Sequence, residues 1–504
     1  MKHKGGIRAW ALPALLLILL LSIISQPIFT FNAFAKKPHY SKLKKKHPAK
    51  KHIKYKKQTH KKYKGKKSHY TKYGRHRYKT RFAIELDKDT VLTDGVKYRH
   101  YYFVRGRVKN SVHVLVADLS NPNIDVAVLK AKNQAFELEK LHDMIRTFDS
   151  LSHNEVIGAV NGNFWRAYSN TPIGPTVVNG EVVEMKTHKR WSSGFFDEYS
   201  RLFIDNFFMD GAIFLKDGKK IHIDNVNHRN DSLGIVLYNH FGGDTIPYIT
   251  KKELNKALAN AFETAIESAL QDTVFADSSE MQFDTVSLKY NLTLTNRLMK
   301  VEHSLTKVSL RYIDNPIINE KVRCRVLSID TGSVPMPDDG CIISFGYEIP
   351  KDLVPKINDT IEIKFSTNVK SNIHFFNSVS GTPRLVRNGR AHHEAYEEGS
   401  RGRRFISREL SRTAIGTDRS LSKVFLVAAE PTSRDLGIIG ANLRELAGIM
   451  RQIGAYNAMN LDGGGSSLMV IDNKNVFYKS RPDLSRKLAV GVAIYKRKNS
   501  EGSE

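Results

Sequence analysis

One stretch sets terms for the rest of the chain: Asn460-Leu461-Asp462-Gly463-Gly464-Gly465-Ser466-Ser467. Ala455–Met459 before it reads as a short strand, and Leu468–Ile471 after it is a second apolar run that ends at Asp472-Asn473-Lys474. The pattern is a tight loop between two strands. Three consecutive glycines give up much chain entropy on folding, so the backbone here needs positive φ or a close approach to something. Asp462 puts a carboxylate at the lip of the loop, and Ser466 and Ser467 add hydroxyls. Successive N–H groups can form an anion-binding concavity, which suits a sugar, a phosphate or both. The same residues also suit a hairpin whose aspartate caps its own turn.

Most of the chain after Arg81 reads as short strands. Tyr98–Lys109, Ser111–Asp118, Ile124–Leu129, Val156–Val160, Ile235–Tyr238, Val322–Ile329, Cys341–Phe345 and Val424–Ala428 alternate or run apolar. Asn179-Gly180 between Val177-Val178 and Val182-Val183 signals a two-residue hairpin. Helical spacing is confined to about 137–149, 254–270 and 442–453. The second of these opens on a capping box, Thr250-Lys251-Lys252-Glu253. The third ends at Gly454, where a glycine cap belongs. The fold class expected is α+β: a large mixed, mostly antiparallel sheet with a few packed helices in one main domain.

The formal net charge of +28 is unevenly placed. Residues 36–80 contain 20 Lys and Arg with no Asp or Glu, and with Lys2, Lys4 and Arg8 they leave only +5 for residues 81–504. The folded part is therefore not a nucleic-acid surface; no specific nucleic-acid partner is expected. Residues 1–35 read as a signal peptide: a basic start, an apolar run from Trp10 to Ile24, and Ala33-Phe34-Ala35 as a cleavage pattern. Cleavage leaves no transmembrane domain, and the product is secreted, periplasmic or held in the cell envelope. An uncleaved anchor is the alternative. Residues 36–80 have too few aliphatic side chains to build a core and read as a disordered basic segment. Outside the cytoplasm its expected partner is a polyanionic envelope polymer. The alternative is a solvated linker. Residues 81–504 form the domain proper, with residues 246–318 as an insertion. Cys324 and Cys341 could pair in an oxidising compartment.

Four stretches occur in a fixed order: Val160-Asn161-Gly162-Asn163-Phe164-Trp165, Ser380-Gly381-Thr382-Pro383-Arg384-Leu385-Val386, Arg412-Thr413-Ala414-Ile415-Gly416 and Asn460 to Ser467. Together they resemble the phosphodiester glycosidase family over about residues 100–245 and 320–497. Asn163 stands where many relatives have glycine, and Ala429-Glu430-Pro431 replaces a segment that usually reads aspartate, glycine and a basic residue. The resemblance implies an exported hydrolase that cleaves a sugar-1-phosphodiester in an envelope or extracellular glycan.

That chemistry assigns roles. Arg412 offers planar paired donors for the phosphodiester. Asp462 is the first candidate carboxylate for an oxocarbenium-like centre or for activating water, and Glu430, after the strand 424–428, is the second. Asn161, Gly162 and Asn163 would hold sugar hydroxyls, with Gly463, Gly464, Gly465 and Ser466 lining the site. His240, ahead of Gly242-Gly243, is a further substrate-binding candidate. No metal and no cofactor is expected, since His392-His393-Glu394 lacks further ligands at metal spacing. Two other readings use the same residues: a non-catalytic polysaccharide-binding protein, and a glycosyl-phosphate transferase.

Overall fold

A computed structural model describes residues 83–167, 169–247, 300–347, 349–477 and 486–498. The expected signal peptide, the basic segment, the helix at 254–270 and most of the 246–318 insertion lie outside these residues.

The architecture is mainly β. Two eight-stranded sheets and two five-stranded sheets carry most of the described chain. Among the described residues, pairings between the named strands are antiparallel except that of Asn225–Val226 with Val236–Tyr238. The α+β expectation is corrected to that extent. Of the described helices, Leu141–Ser152 and Leu443–Gln452 are the longer, and they cover sheets that already bury much of their apolar surface on one another.

The first eight-stranded sheet runs in the order 83–93, 96–105, 108–118, 423–429, 412–417, 457–460, 384–387 and 390–391. One of its faces packs on Leu443, Leu446, Ala447 and Met450 of the second helix. The other face packs, through Leu115, Ile415, Leu426 and Met459, on a five-stranded sheet of 474–475, 469–471, 155–161, 490–496 and 124–130. These two sheets position the glycine loop. It leaves the strand Asn457–Asn460 in the first and delivers Met469–Ile471 to the second.

Local signals fold as their chemistry dictates. Asn179 and Gly180 take φ of 49° and 83°, the two-residue hairpin geometry. Asn442 caps the helix 443–452 by accepting from Glu445 N at 3.0 Å, while Glu445 Oε2 accepts from Asn442 N at 3.1 Å. Gly454 follows at φ 107°. The first helix starts at Leu141, four residues later than its spacing suggests. Two strand expectations are corrected. The expected run Tyr98–Lys109 is broken: Val96–Arg105 and Val108–Asp118 form a hairpin that turns at Gly106-Arg107, and the second strand runs unbroken through Asn110. Thr306–Tyr312, read as irregular insertion, is an interior strand of the second eight-stranded sheet. Cys324 and Cys341 are buried free thiols there. No described helix is long and apolar enough to cross a membrane.

Candidate functional site

The loop is fastened from three sides. Leu461 N donates to Thr413 O at 2.9 Å, Asp462 N to Gly162 O at 3.0 Å, and Gly464 N to Ser411 O at 2.9 Å. Asn161, fully buried at the end of its strand, bridges the two sheets. Its Nδ2 donates to Asp462 O at 2.8 Å, while its Oδ1 accepts from Thr413 Oγ1 at 2.6 Å and from Leu468 N at 3.2 Å. Asn460 Nδ2 secures the base of the loop on Thr382 O at 2.7 Å. Gly464 sits at φ +60°, where a side chain would be strained.

This fastening corrects the picture of a loop presenting bare backbone donors. Gly463 N donates to Asp462 Oδ1 at 2.8 Å, Ser466 N to Gly463 O at 3.2 Å and Ser467 N to Gly464 O at 3.1 Å. With 461, 462, 464 and 468, these donors are used inside the protein. What the loop shows to solvent is Asp462, Gly463 and Gly464, each half-buried, and the exposed Gly465.

Two arginines adjoin the loop: the buried Arg412, whose Cδ lies 3.8 Å from the point where a Cβ on Gly463 would stand, and the more open Arg486. Arg486 Nη1 lies 3.7 Å from the point where a Cβ on Gly465 would stand, and its guanidinium lies 5.4 Å from the centre of the Trp165 ring. Sequence reading missed it because Arg486 lies among other basic residues with no motif around it. Arg412 is 1 % exposed. Its Nη2 donates to Phe405 O at 2.6 Å and Arg408 O at 3.2 Å, and its Nε to Ala441 O at 3.1 Å. Burial lowers its pKa to about 10, so it stays charged at neutral pH. It pins the 405–408 segment and Ala441, so the Nε and Nη2 donors expected to clamp a phosphate are engaged by backbone carbonyls. Thr413 shows the reason: successive strand residues face opposite sides, and Thr413 takes the side toward Asn161.

Glu430 is likewise not at the lip. It is 1 % exposed and accepts from His113 Nε2 at 2.7 Å and from Ser111 Oγ at 3.1 Å. Burial pushes the His113 imidazole pKa down, toward the neutral form. His240 is a half-exposed partner of Glu181, and its ring lies tilted against that of Phe241; neither of these contacts involves the glycine loop. Glu394 of the His392-His393-Glu394 run is held by Arg387 through two bonds of 2.6 and 2.7 Å.

Gly162 N donates to Val490 O at 2.8 Å, and Asn163 Nδ2 donates to Thr176 Oγ1 at 2.9 Å. Asn163 Oδ1, Ser467 Oγ and Trp191 Nε1 are buried without a protein hydrogen-bond partner. Ser467 ends the loop, Asn163 follows its anchor Asn161, and Trp191 meets the Phe164 ring edge-on at 5.4 Å. Phe164 also meets Phe405 edge-on at 6.3 Å. A carboxylate, a guanidinium, unsatisfied polar atoms and aromatic rings on neighbouring segments are what a polar ligand with apolar faces requires.

Residues 323–495 match the phosphodiester glycosidase family. The match includes Arg412, Glu430, the glycine loop and Arg486; Asn161 and Asn163 lie before it. N-acetylglucosamine-1-phosphodiester alpha-N-acetylglucosaminidase of Mus musculus is 29% identical over 151 residues, which cover 28% of this chain and 25% of that protein. The enzyme of the same name from Bos taurus is 34% identical over 115 residues, 21% of each chain. The chain thus spans about a quarter or less of these relatives' length. A hypothetical protein from Synechocystis shares the fold at a TM-score of 0.55 and 19% identity, covering 82% of this chain and 64% of its own. A putative exported protein from Burkholderia pseudomallei does so at 0.51 and 13%, covering 82% and 96%.

Proposed function

We propose that the chain is an exported hydrolase that cleaves a sugar-1-phosphodiester in a cell-envelope or extracellular glycan. The observation that carries this reading is Asp462, half-buried at the lip of a loop anchored to both sheets, with the Arg486 guanidinium beside Gly465. In the reaction, water adds its oxygen to the anomeric carbon while the bond from that carbon to the phosphate oxygen breaks. The products are the free sugar and a phosphomonoester. A phosphomonoester leaves readily, so one carboxylate near the anomeric centre, taking the proton of the attacking water, serves without a strong general acid. Arg486 supplies charge-assisted hydrogen bonds to the phosphodiester. Asn163, Ser467 and Trp191 hold sugar hydroxyls.

The test is release of phosphomonoester and free sugar from a panel of nucleotide-sugar and sugar-phosphodiester substrates. Asp462→Asn keeps the shape and removes the charge; it should lower turnover ~10²–10⁴-fold with little change in stability. Full activity in a folded Asp462→Asn variant would move the reaction away from the loop. A second reading, glycan binding without turnover, draws on the burial of Glu430, which leaves one of the two expected carboxylates away from the lip. A wild type that is inactive on the whole panel yet binds glycan would establish it.

A further inference from the structure

His100 and His113 stand directly opposite one another on neighbouring antiparallel strands, and Ala428 is the next residue in that row. Glu430, two residues on from Ala428, projects from the same side of the sheet. One ligand atom each from His100, His113 and Glu430 lie within 4.8 Å of one another, and all three residues are 1 % exposed. The outer nitrogen of each ring is already held: His100 Nδ1 by Asp87 Oδ2 at 2.7 Å, and His113 Nδ1 by the Tyr98 hydroxyl at 2.8 Å. Both Nε2 atoms therefore turn inward, one to Glu430 Oε1 at 2.7 Å and the other to Ser111 Oγ at 2.8 Å. A histidine whose far nitrogen is fixed by a carboxylate or hydroxyl is oriented as metal-binding histidines are.

Ser111 Oγ joins the two halves of the cluster: it contacts His100 Nε2 at 2.8 Å and donates to Glu430 Oε1 at 3.1 Å. We propose that His100, His113 and Glu430 form a binding site for a divalent transition metal, with zinc the ion that two imidazoles and a carboxylate suit best. With the ion between the two Nε2 atoms and Glu430, each imidazole is neutral and directs its Nδ1–H outward to Asp87 or Tyr98. The Ser111 hydroxyl stands beside the ion. Two of the ligands come from a hairpin and the third from the neighbouring strand, so the ion would tie the edge of the first sheet to its centre.

The experiment uses the full chain. The six histidines between His39 and His76 will also hold metal loosely, so protein is dialysed against a weak chelator before metal is counted by mass spectrometry. One retained zinc per chain is expected in the wild type, falling below about a tenth in full-length His113→Gln and Glu430→Gln that remain folded by circular dichroism. If those variants do not fold, the wild type decides: cobalt should replace zinc one for one and give an intense visible absorption band of low coordination number. Zinc retained equally by wild type and folded variants, or a wild type with no retained zinc and no such band, overturns the proposal. Neither measurement needs a substrate, so its outcome is independent of the hydrolysis assay.

Discussion

Replacing Asn161 should loosen the glycine loop from both sheets at once. Asn161→Ala removes the donor to Asp462 O and the acceptor for Thr413 Oγ1 and Leu468 N. Each buried polar group left without a partner costs about 1–3 kcal/mol. Thr413 and Leu468 are both buried, whereas Asp462 is half-exposed and its carbonyl is closer to water. The Thr413 hydroxyl can rotate to another acceptor, so the sum is nearer the lower bounds, about 3–5 kcal/mol for the variant. Asn161→Asp is the sharper probe. It keeps an acceptor for Thr413 and Leu468 but turns a carboxylate oxygen toward Asp462 O. It should therefore fold better than Asn161→Ala yet turn over substrate as poorly. Urea denaturation and the phosphomonoester assay read the two effects separately. In a double-mutant cycle with Thr413→Val, a coupling of about 0.5–3 kcal/mol is expected for groups in direct contact. A cost below about 1 kcal/mol for Asn161→Ala, with a cycle additive within about 0.5 kcal/mol, would refute the anchoring role.

Four other perturbations follow from the structure and the sequence. Burial lowers the Lys130 pKa from 10.5 to about 7, so the unfolded chain binds the extra proton between those values, and a cost of about 4–5 kcal/mol present below pH 7 fades as pH rises toward 10.5. Lys130→Met should thus be more stable than wild type at pH 6, less the loss of the bond to Glu137 O, and the advantage should vanish near pH 10.5 in denaturation curves; a pH-independent difference would contradict the assignment. Arg412→Lys should destabilise by about 2–4 kcal/mol, because a single ammonium cannot reach three backbone carbonyls as the planar fork does. Arg486→Gln should instead leave stability within about 0.5 kcal/mol and raise KM for the phosphodiester, and the reverse pattern in steady-state kinetics and melting would restore Arg412 as the phosphate ligand. Deleting residues 36–80 should leave turnover of a small soluble substrate unchanged and abolish a salt-sensitive affinity for polyanionic polymer, with equal pull-down at low salt as the contrary result.

The parts of this protein that were legible in its sequence are those in which a few neighbouring residues settle the geometry. Asn179-Gly180 makes its hairpin, Asn442 and Glu445 cap their helix, and the glycine loop joins two strands, because each needs only local backbone chemistry. What a strand-end side chain faces is a different kind of fact. Arg412 and Thr413 are adjacent, yet one is buried against Phe405 and Ala441 while the other holds Asn161. Parity alone says they differ; only pairing with Ala429 and Ala428 says which is which. The His100–His113 pair depended on register still more directly. A turn at Asn110 would set His113 opposite Arg107, whereas the turn at Gly106-Arg107 sets it opposite His100. A few residues' error in one turn thus hides a buried cluster of two imidazoles and a carboxylate, because a hairpin slides its whole register with its turn. Glu430 then joins that cluster from a strand more than 300 residues away in sequence, a contact that rests on sheet order and on no local pattern.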